Sequence, residues 1–385
     1  PQRVERIDTH GAVVFLAGEE AFKVKRAVKL AYLDFSTLEA RRRLSEREVE
    51  INRPSAPEIY LGTIPVTREP DGRLALGGEG EAVEWAVRMA RFPERDVMIE
   101  VAAEGGIDTA TARALGDMVA RMHAAAPVAT PSAGAAIEEV IASIHDTVAR
   151  SGERGLLDLS RRLDADFERQ IARSAAIRRR RADAGFLRRC HGDLHLGNIV
   201  MWNGRPVPFD AIEFDERIAT IDTLYDLAFL LMDLERQGCR AAANIVLNRY
   251  LGHSRCVLDL EGLTALPLFL GVRAGVRAMV AIDRLRVTAA QKRPETVAKA
   301  AVTLELAARL LEPPARDRRG ARCRPSAQRR RAQTPRWSCR DRPAAARRVH
   351  GRGLRRGLPD PIGARTGNAR GRAQRRRRCG VRARE

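Results

Sequence analysis

The chain has 385 residues, 44% of them hydrophobic, and carries a formal net charge of +20. This length allows two domains with buried cores, and the composition argues against fibrous and membrane-spanning proteins. The charge is not spread evenly, because positions 315–385 hold 25 Arg, no Lys and four acidic residues. The remaining 44 basic and 45 acidic residues leave positions 1–314 nearly neutral.

The first ninety residues are predicted to form a small α+β unit. Alternating apolar residues at 12–16 and 21–25 predict a hairpin with its turn at Gly18-Glu19-Glu20. The capping-box pattern Ser36-Thr37-Leu38-Glu39, which makes Ser36 the cap, predicts a helix that ends before Pro54. The segment 82–91 is predicted to form a further strand. We predict a β-rich N-terminal lobe at 1–90.

The next part of the chain has helical periodicity. Apolar residues three and four apart predict a helix from Asp108 to just before Pro127, with further helices at 135–150, 155–180 and 221–312. The run Arg178 to Arg181 is interpreted as a solvated helix face. We predict a large helical lobe at 91–314.

The Arg-rich segment 315–385 has too few aliphatic residues to bury a core, so we predict that it is disordered. Its use of Arg without Lys suggests GC-rich DNA read out of frame. The alternative is an authentic basic arm, and only then is a nucleic-acid partner expected.

Other features bear on location. The six Cys lack metal-site or disulfide spacing, and the chain has no signal-peptide pattern, so a reducing, cytoplasmic location is predicted. The longest apolar stretch, 263–282, is interrupted by Pro267, Arg273 and Arg277, so no membrane partner is expected. The oligomeric state is not predicted.

The run from His191 to Asn198 contains the strongest chemical motif. His, one residue, Asp, four residues and Asn is the spacing of a kinase catalytic loop, in which Asp193 accepts a hydroxyl proton and Asn198 holds a metal ion. The alternative is a purely structural role, in which these side chains only cap turns.

A hairpin predicted after this loop strengthens the motif. Asn203-Gly204 between two apolar runs predicts a two-residue turn that pairs 202 with 205, 200 with 207 and 198 with 209. This register places Asp210 diagonally beside Asn198. Mg²⁺ prefers such oxygen ligands, so Asn198 and Asp210 are the candidate metal ligands.

Four acidic residues follow the hairpin. Asp222 is expected to cap a helix. For Asp226, a hydrogen bond to the catalytic loop and the absence of such a bond are equally favoured. Glu213 and Asp215 are interpreted as solvated acids, with a contact to metal or substrate as the less favoured alternative.

Two strand lysines and one helix glutamate are the candidate nucleotide-binding residues. Kinases hold the nucleotide phosphates with a strand Lys paired to a helix Glu. Lys23 and Lys25 project from the same strand face, so both remain candidates. Glu48 lies on an apolar helix face, where a carboxylate needs a compensating charge. No glycine-rich phosphate loop precedes the first strand.

These residues resemble the aminoglycoside phosphotransferase family, whose motif HGDxxxxN is followed by a strand ending in Asp. The segments Lys23-Val24-Lys25-Arg26 and Phe209-Asp210-Ala211-Ile212-Glu213 resemble the bacterial branch often fused to a P-loop ATP-binding domain. The resemblance implies a bilobal protein-kinase-like fold with ATP and Mg²⁺ in the cleft. It also implies Asp193 as the base, and Asn198 and Asp210 as metal ligands.

The predicted function is transfer of the γ-phosphoryl group of ATP to a hydroxyl group of an unidentified small molecule. His191, Asp193 and Asp226 are the candidate catalytic residues. One alternative is a nucleotide-binding regulatory module without turnover, and another is a nucleic-acid-associated protein with a basic tail.

Overall fold

The computed structural model describes residues 4–9, 11–30, 33–130, 132, 134–286 and 290–312. The Arg-rich segment 315–385, with its predicted disorder, lies outside these residues.

The N-terminal part of the described chain is built on a six-stranded antiparallel sheet. Its strands and a short accessory pair are β1 (Val4–Asp8), β2 (Ala12–Ala17), β3 (Glu20–Lys25), β4 (Lys29–Leu30), β5 (Leu33–Asp34), β6 (Tyr60–Arg68), β7 (Leu74–Leu76) and β8 (Glu81–Ala90). The order across the sheet is β1-β2-β3-β8-β6-β7, and β4 pairs separately with β5. The predicted hairpin is present, but Glu20, which was predicted to belong to the turn, pairs with Ala17 and begins β3. The turn therefore contains only Gly18 and Glu19.

Helix α1 (Leu38–Asn52) lies against this sheet and ends before Pro54, as predicted. Its cap is Thr37, whose hydroxyl accepts from the amide of Ala40, so the prediction that Ser36 caps the helix is wrong. Ser36 instead donates its amide and hydroxyl to the Asp34 carboxylate. Because the Ser36 hydroxyl is bonded to the Asp34 carboxylate, it does not cap the helix, and the helix begins one residue later than predicted.

The second part of the chain is mostly helical. Its helices are α2 (Met98–Gly105), α3 (Thr109–Ala125), α4 (Ile137–Ser151), α5 (Arg154–Asp183), α6 (Glu216–Ala219), α7 (Thr223–Arg236), α8 (Arg240–Ser254), α9 (Val257–Gly262), α10 (Leu266–Asp283) and α11 (Arg293–Leu311). Four short strands complete it, namely β9 (Leu187–Arg189), β10 (Ile199–Trp202), β11 (Arg205–Pro208) and β12 (Thr220–Asp222). The predicted α+β class is confirmed.

Helix α7 is the centre of the helical core. All residues from Thr223 to Leu234 are buried, and α3, α8 and α10 pack around this helix or its neighbours. A helix that is buried on every side can position a group rigidly, because close packing allows little displacement. Two of its carboxylates, Asp226 and Asp233, are fully buried, which requires partners inside the fold.

One buried arginine ties three elements together beside this core. Arg181 of α5 is fully buried, donates twice to the Asp222 carboxylate at 2.7 and 2.8 Å, and donates to Asp259 of α9 at 2.9 Å. Asp222 also accepts from the amide of Leu224 and caps α7, as predicted. The interpretation of the Arg178–Arg181 run as a solvated face is wrong at Arg181, because Asp222 and Asp259 compensate its buried charge.

The hairpin of β10 and β11 has the predicted register. Trp202 pairs with Arg205 and Val200 with Val207, so Asn203 and Gly204 form the turn, both with positive φ. None of the helices in the described part of the chain is both long and apolar enough to cross a membrane.

Candidate active site

The residues from His191 to Asn198 form a tight loop between β9 and β10. Gly192 has φ +86, and a Cβ there would lie 3.0 Å from Ile212 Cδ1, so the loop conformation favours glycine. The Asp193 side chain is 38% exposed, whereas most of the loop is buried. The side-chain amide of Asn198 donates to Asp193 Oδ2 at 2.9 Å, and this bond fixes the carboxylate at the surface of the loop.

The charge state of Asp193 is set by its neighbours. Burial alone would raise the pKa of Asp193, but His195, His191 and Arg277 lower it well below its usual range. His195 Nε2 lies 3.4 Å from Asp193 Oδ2. Asp193 is therefore an ionised acceptor at neutral pH, held in one orientation and open on one side.

Asp226 lies directly beneath the loop and does not reach its open side. It accepts from the backbone amides of Gly192 at 2.9 Å and His191 at 3.2 Å, and it is fully buried. Of the two roles weighed for Asp226, the structure supports the bond to the catalytic loop. Its contacts make it a positioning residue.

Two further side chains support Asp226 from behind. His123 of α3 has Nε2 3.0 Å from Asp226 Oδ2 and Nδ1 3.1 Å from the Tyr250 hydroxyl. The sequence analysis did not identify His123. In the sequence, His123 is a titratable residue that follows Met122 in an amphipathic helix. This pattern is too common to indicate a functional site by itself.

His191 is buried and connects the loop to the end of β11. Its Nε2 donates to the carbonyl of Phe209 at 3.0 Å, the residue before Asp210. Burial lowers the pKa of His191, so the ring is neutral at neutral pH. These contacts hold the hairpin end against the loop and so set the position of Asp210 relative to Asp193.

A second cluster joins the sheet to the end of this hairpin. Lys23 Nζ donates to Glu48 Oε1 at 2.9 Å and to Asp210 Oδ1 at 2.5 Å. Burial would lower the pKa of Lys23, but Asp210 and Glu48 raise it well above its usual value. Burial would raise the pKa of Glu48, yet Lys23 and Lys25 lower it to about 2. The predicted contact between Lys23 and Glu48 is therefore present, with both groups charged.

Lys25 also contacts Glu48, the predicted partner of the phosphate-binding lysine, and has a second carboxylate partner, Glu213. It donates to Glu48 Oε2 at 2.6 Å and also to Glu213, and its side chain is 2% exposed. Burial raises the pKa of Glu213, while Lys25 opposes that effect. The interpretation of Glu213 as a solvated acid is wrong, because Lys25 compensates its buried charge. Asp215 caps α6.

The pair of Lys25 and Glu213 gives a prediction about stability. Lys25→Met and Glu213→Gln each remove one partner from a buried ion pair, so each should lower the free energy of unfolding by about 3–5 kcal/mol. The double variant should lose less than the sum, because it leaves no unpaired charge. Urea unfolding measures all three differences.

Lys29→Met is the matched control, because Lys29 pairs with Asp34 at the surface with its side chain 73% exposed. It should leave the free energy of unfolding nearly unchanged, because an exposed ion pair contributes little. Strict additivity in the double variant would show that Lys25 and Glu213 do not interact in solution.

Asn198 and Asp210 satisfy the simplest requirements of a Mg²⁺ site. Asn198 uses its amide nitrogen for Asp193, and no described residue donates to its Oδ1. Asp210 is held by Lys23 through Oδ1, and its side chain is 42% exposed. The amide of Phe209 donates to the carbonyl of Asn198 at 2.9 Å, which is the predicted register. Their role as metal ligands stays a prediction.

The backbone at Asp210 is unusual. Its φ of +62° lies in the left-handed region, which Asp and Asn tolerate better than other residues with a side chain. The amide of Asp210 donates to the Tyr60 hydroxyl at 3.0 Å, and that of Ala211 donates to Asn52 Oδ1 at 2.9 Å. These bonds hold the conformation. Tyr60 and Asn52 were not identified from the sequence, because nothing in their spacing relates them to Asp210.

Comparison with known proteins gives matches that include the residues of this site. Residues 37–263 match the family model described as the phosphotransferase enzyme family. An uncharacterized protein of Mycobacterium tuberculosis is 29% identical over 315 residues, which is 79% of this chain. The chain spans 59% of the length of that curated relative.

One solved structure that the chain resembles supports the kinase-like architecture. The crystal structure of choline kinase from Cryptosporidium parvum superposes with a TM-score of 0.52 at 10% identity, over 80% of this chain and 88% of that one. The GDP complex of an aminoglycoside 2'-phosphotransferase-IIIa gives a TM-score of 0.46 at 15% identity, over 80% and 93% of the two chains. The predicted kinase-like fold and the predicted family resemblance are confirmed. The resemblance to the branch that is often fused to a P-loop domain stays a prediction.

Proposed function

This chain belongs to the phosphotransferase enzyme family, and from that membership and the geometry of its site we propose that it transfers the γ-phosphoryl group of ATP to a small-molecule hydroxyl group. The observation that carries the proposal is the Asp193 carboxylate, ionised, oriented by Asn198 and exposed on one side. A general base must be oriented in this way to accept the proton of an attacking hydroxyl.

In the proposed reaction, the acceptor oxygen attacks the γ-phosphorus of ATP. The bond from that phosphorus to the β–γ bridging oxygen breaks, ADP leaves, and the hydroxyl proton goes to Asp193. Mg²⁺, when bound, would neutralise charge on the phosphate oxygens. Asn198 and Asp210 would hold it. The chain itself supplies orientation of the nucleophile and a fixed cation for the nucleotide.

We assign that cation to Lys23, not to Lys25. Lys23 bridges Glu48 and Asp210, and its side chain is 17% exposed, so part of it remains accessible to a ligand. Lys25 is 2% exposed and is bonded to two carboxylates, Glu48 and Glu213. A lysine that contacts phosphate must present its ammonium group to the ligand, which favours Lys23.

Calorimetry with ATP, with and without Mg²⁺, combined with an ADP-release assay over a panel of hydroxyl compounds, tests the proposal. We expect Mg²⁺-dependent ATP binding and faster ADP release with at least one acceptor. Binding without turnover over the whole panel would favour the nucleotide-binding module instead. Absence of ATP binding would contradict both.

A further inference from the structure

Every backbone amide from Phe209 to Ile212 donates to a group elsewhere in the fold. The first of these amides donates to the Asn198 carbonyl at 2.9 Å, and the last donates to the His191 carbonyl at 3.0 Å. The two amides between them, those of Asp210 and Ala211, have side-chain acceptors instead. The catalytic loop therefore holds the two ends of this segment, and other parts of the chain hold its middle.

The two side-chain acceptors come from the N-terminal part of the chain. Tyr60, the first residue of β6, accepts from the Asp210 amide, and Asn52, the last residue of α1, accepts from the Ala211 amide. Both side chains are buried. The amide nitrogen of Asn52 donates to the Glu48 carbonyl at 2.9 Å, which leaves Oδ1 directed at Ala211. These two side chains join the sheet and α1 to the residues around Asp210.

The conformation held in this way is one that residues with a side chain rarely adopt. Asp210 has a φ of +62°, and such a backbone persists only where the surrounding structure fixes it. A return to an extended φ would turn the Asp210 carboxylate in a different direction. That carboxylate contacts Lys23 and is 42% exposed, so its direction determines what it can bind.

We propose that Tyr60 and Asn52 are positioning residues, which set the affinity for Mg²⁺ by holding Asp210 in the left-handed conformation. The proposal rests on the proposed phosphoryl transfer, in which Asp210 holds Mg²⁺. This ion requires nearly ideal octahedral geometry, so a carboxylate that turns away binds it less well. Because the oxygens of Tyr60 and Asn52 accept from backbone amides, both residues act through Asp210 without touching the metal.

Tyr60→Phe in the full-length protein tests the proposal, because it removes the acceptor of the Asp210 amide and keeps the ring. We expect the Kd for ATP, measured by calorimetry in Mg²⁺, to rise about tenfold, as loss of a contact behind a metal ligand predicts. In EDTA the Kd should stay the same, because Lys23 keeps Glu48 as its partner. An equal rise in both solutions, or no rise in Mg²⁺, would overturn the proposal.

The Mg²⁺ dependence of turnover gives a second measurement. At saturating ATP and acceptor, Tyr60→Phe should need a higher Mg²⁺ concentration for half-maximal ADP release. Its kcat at saturating Mg²⁺ should approach that of the unaltered protein, because the lost contact affects metal binding and not the base. A fall in kcat that excess Mg²⁺ does not restore would mean that Tyr60 only supports the fold.

Asn52→Leu should have the same metal-dependent effect as Tyr60→Phe. Asn248→Leu is its matched control, because Asn248 also donates to the carbonyl four residues before it, but on the exposed face of α8. The control should change neither the Kd nor the Mg²⁺ requirement. Equal effects of the two substitutions would show that the contact with Ala211 is not what matters.

Failure of the proposed function would be distinct from failure of this proposal. The first would appear in the unaltered protein, as absence of Mg²⁺-dependent ATP binding. The second would appear only in the variants, as Mg²⁺-dependent binding that Tyr60→Phe and Asn52→Leu leave unchanged.

Discussion

Asp193→Asn is expected to lower kcat for ADP release by about a hundredfold to ten-thousandfold, which is the contribution of a general base. The amide keeps the size of the carboxylate and its Oδ1 can still accept from Asn198, so the loop should keep its conformation. The lost group is the anion that receives the hydroxyl proton. Stopped-flow or coupled measurement of ADP release, at saturating ATP and acceptor, gives the ratio.

Calorimetry and thermal unfolding distinguish this loss from a structural one. Mg²⁺-ATP affinity should stay within about threefold, because the proposal places Asp193 on the nucleophile, not on the nucleotide. Asp71→Asn is the matched control, since Asp71 lies in an exposed turn with Arg73 as its partner. Activity of Asp193→Asn within threefold of the unaltered protein would remove Asp193 from the chemistry.

Asp210→Asn is expected to weaken Mg²⁺-dependent ATP binding by at least about tenfold to a hundredfold. Asn tolerates the left-handed backbone at position 210, whereas Ala would add strain there, so the variant tests the charge alone. It also frees Lys23 from its ion pair with Asp210. Calorimetry in Mg²⁺ and in EDTA separates the two effects.

The metal dependence decides the interpretation of Asp210→Asn. If Asp210 holds Mg²⁺, affinity should fall in Mg²⁺ and stay the same or rise in EDTA, where Lys23 is released to bind phosphate. An equal fall in both solutions would mean that Asp210 acts by positioning Lys23. Unchanged affinity in Mg²⁺ would exclude Asp210 from the site.

Local patterns in the sequence were enough to predict the secondary-structure elements. They also predicted the strand register that brings Asn198 and Asp210 together. Asn203-Gly204 determines one turn, and pairing outward from a known turn leaves no freedom. Contacts between residues distant in sequence could not be predicted in this way. Glu213 was misinterpreted because its partner Lys25 is 188 positions away, and no periodicity relates them.

The same limit applies to Asp226 and His123. Position on a helix indicates that Asp226 is buried, but its partners come from the catalytic loop and from α3, which only the folded packing brings together. The Thr37 cap shows the opposite case. There the interaction is local, but two adjacent residues can both cap, and a third residue, Asp34, decides between them.

The ion pair of Lys25 and Glu213 also limits how the cleft can open. Lys25, the last residue of β3, joins this strand to Glu213, which lies beyond β11 in the chain. In the proposed reaction, nucleotide entry and ADP release involve motion of the sheet relative to the helices. Because this ion pair holds the C-terminal end of β3 beside Glu213, we expect the parts of the sheet farthest from Lys25 to move most.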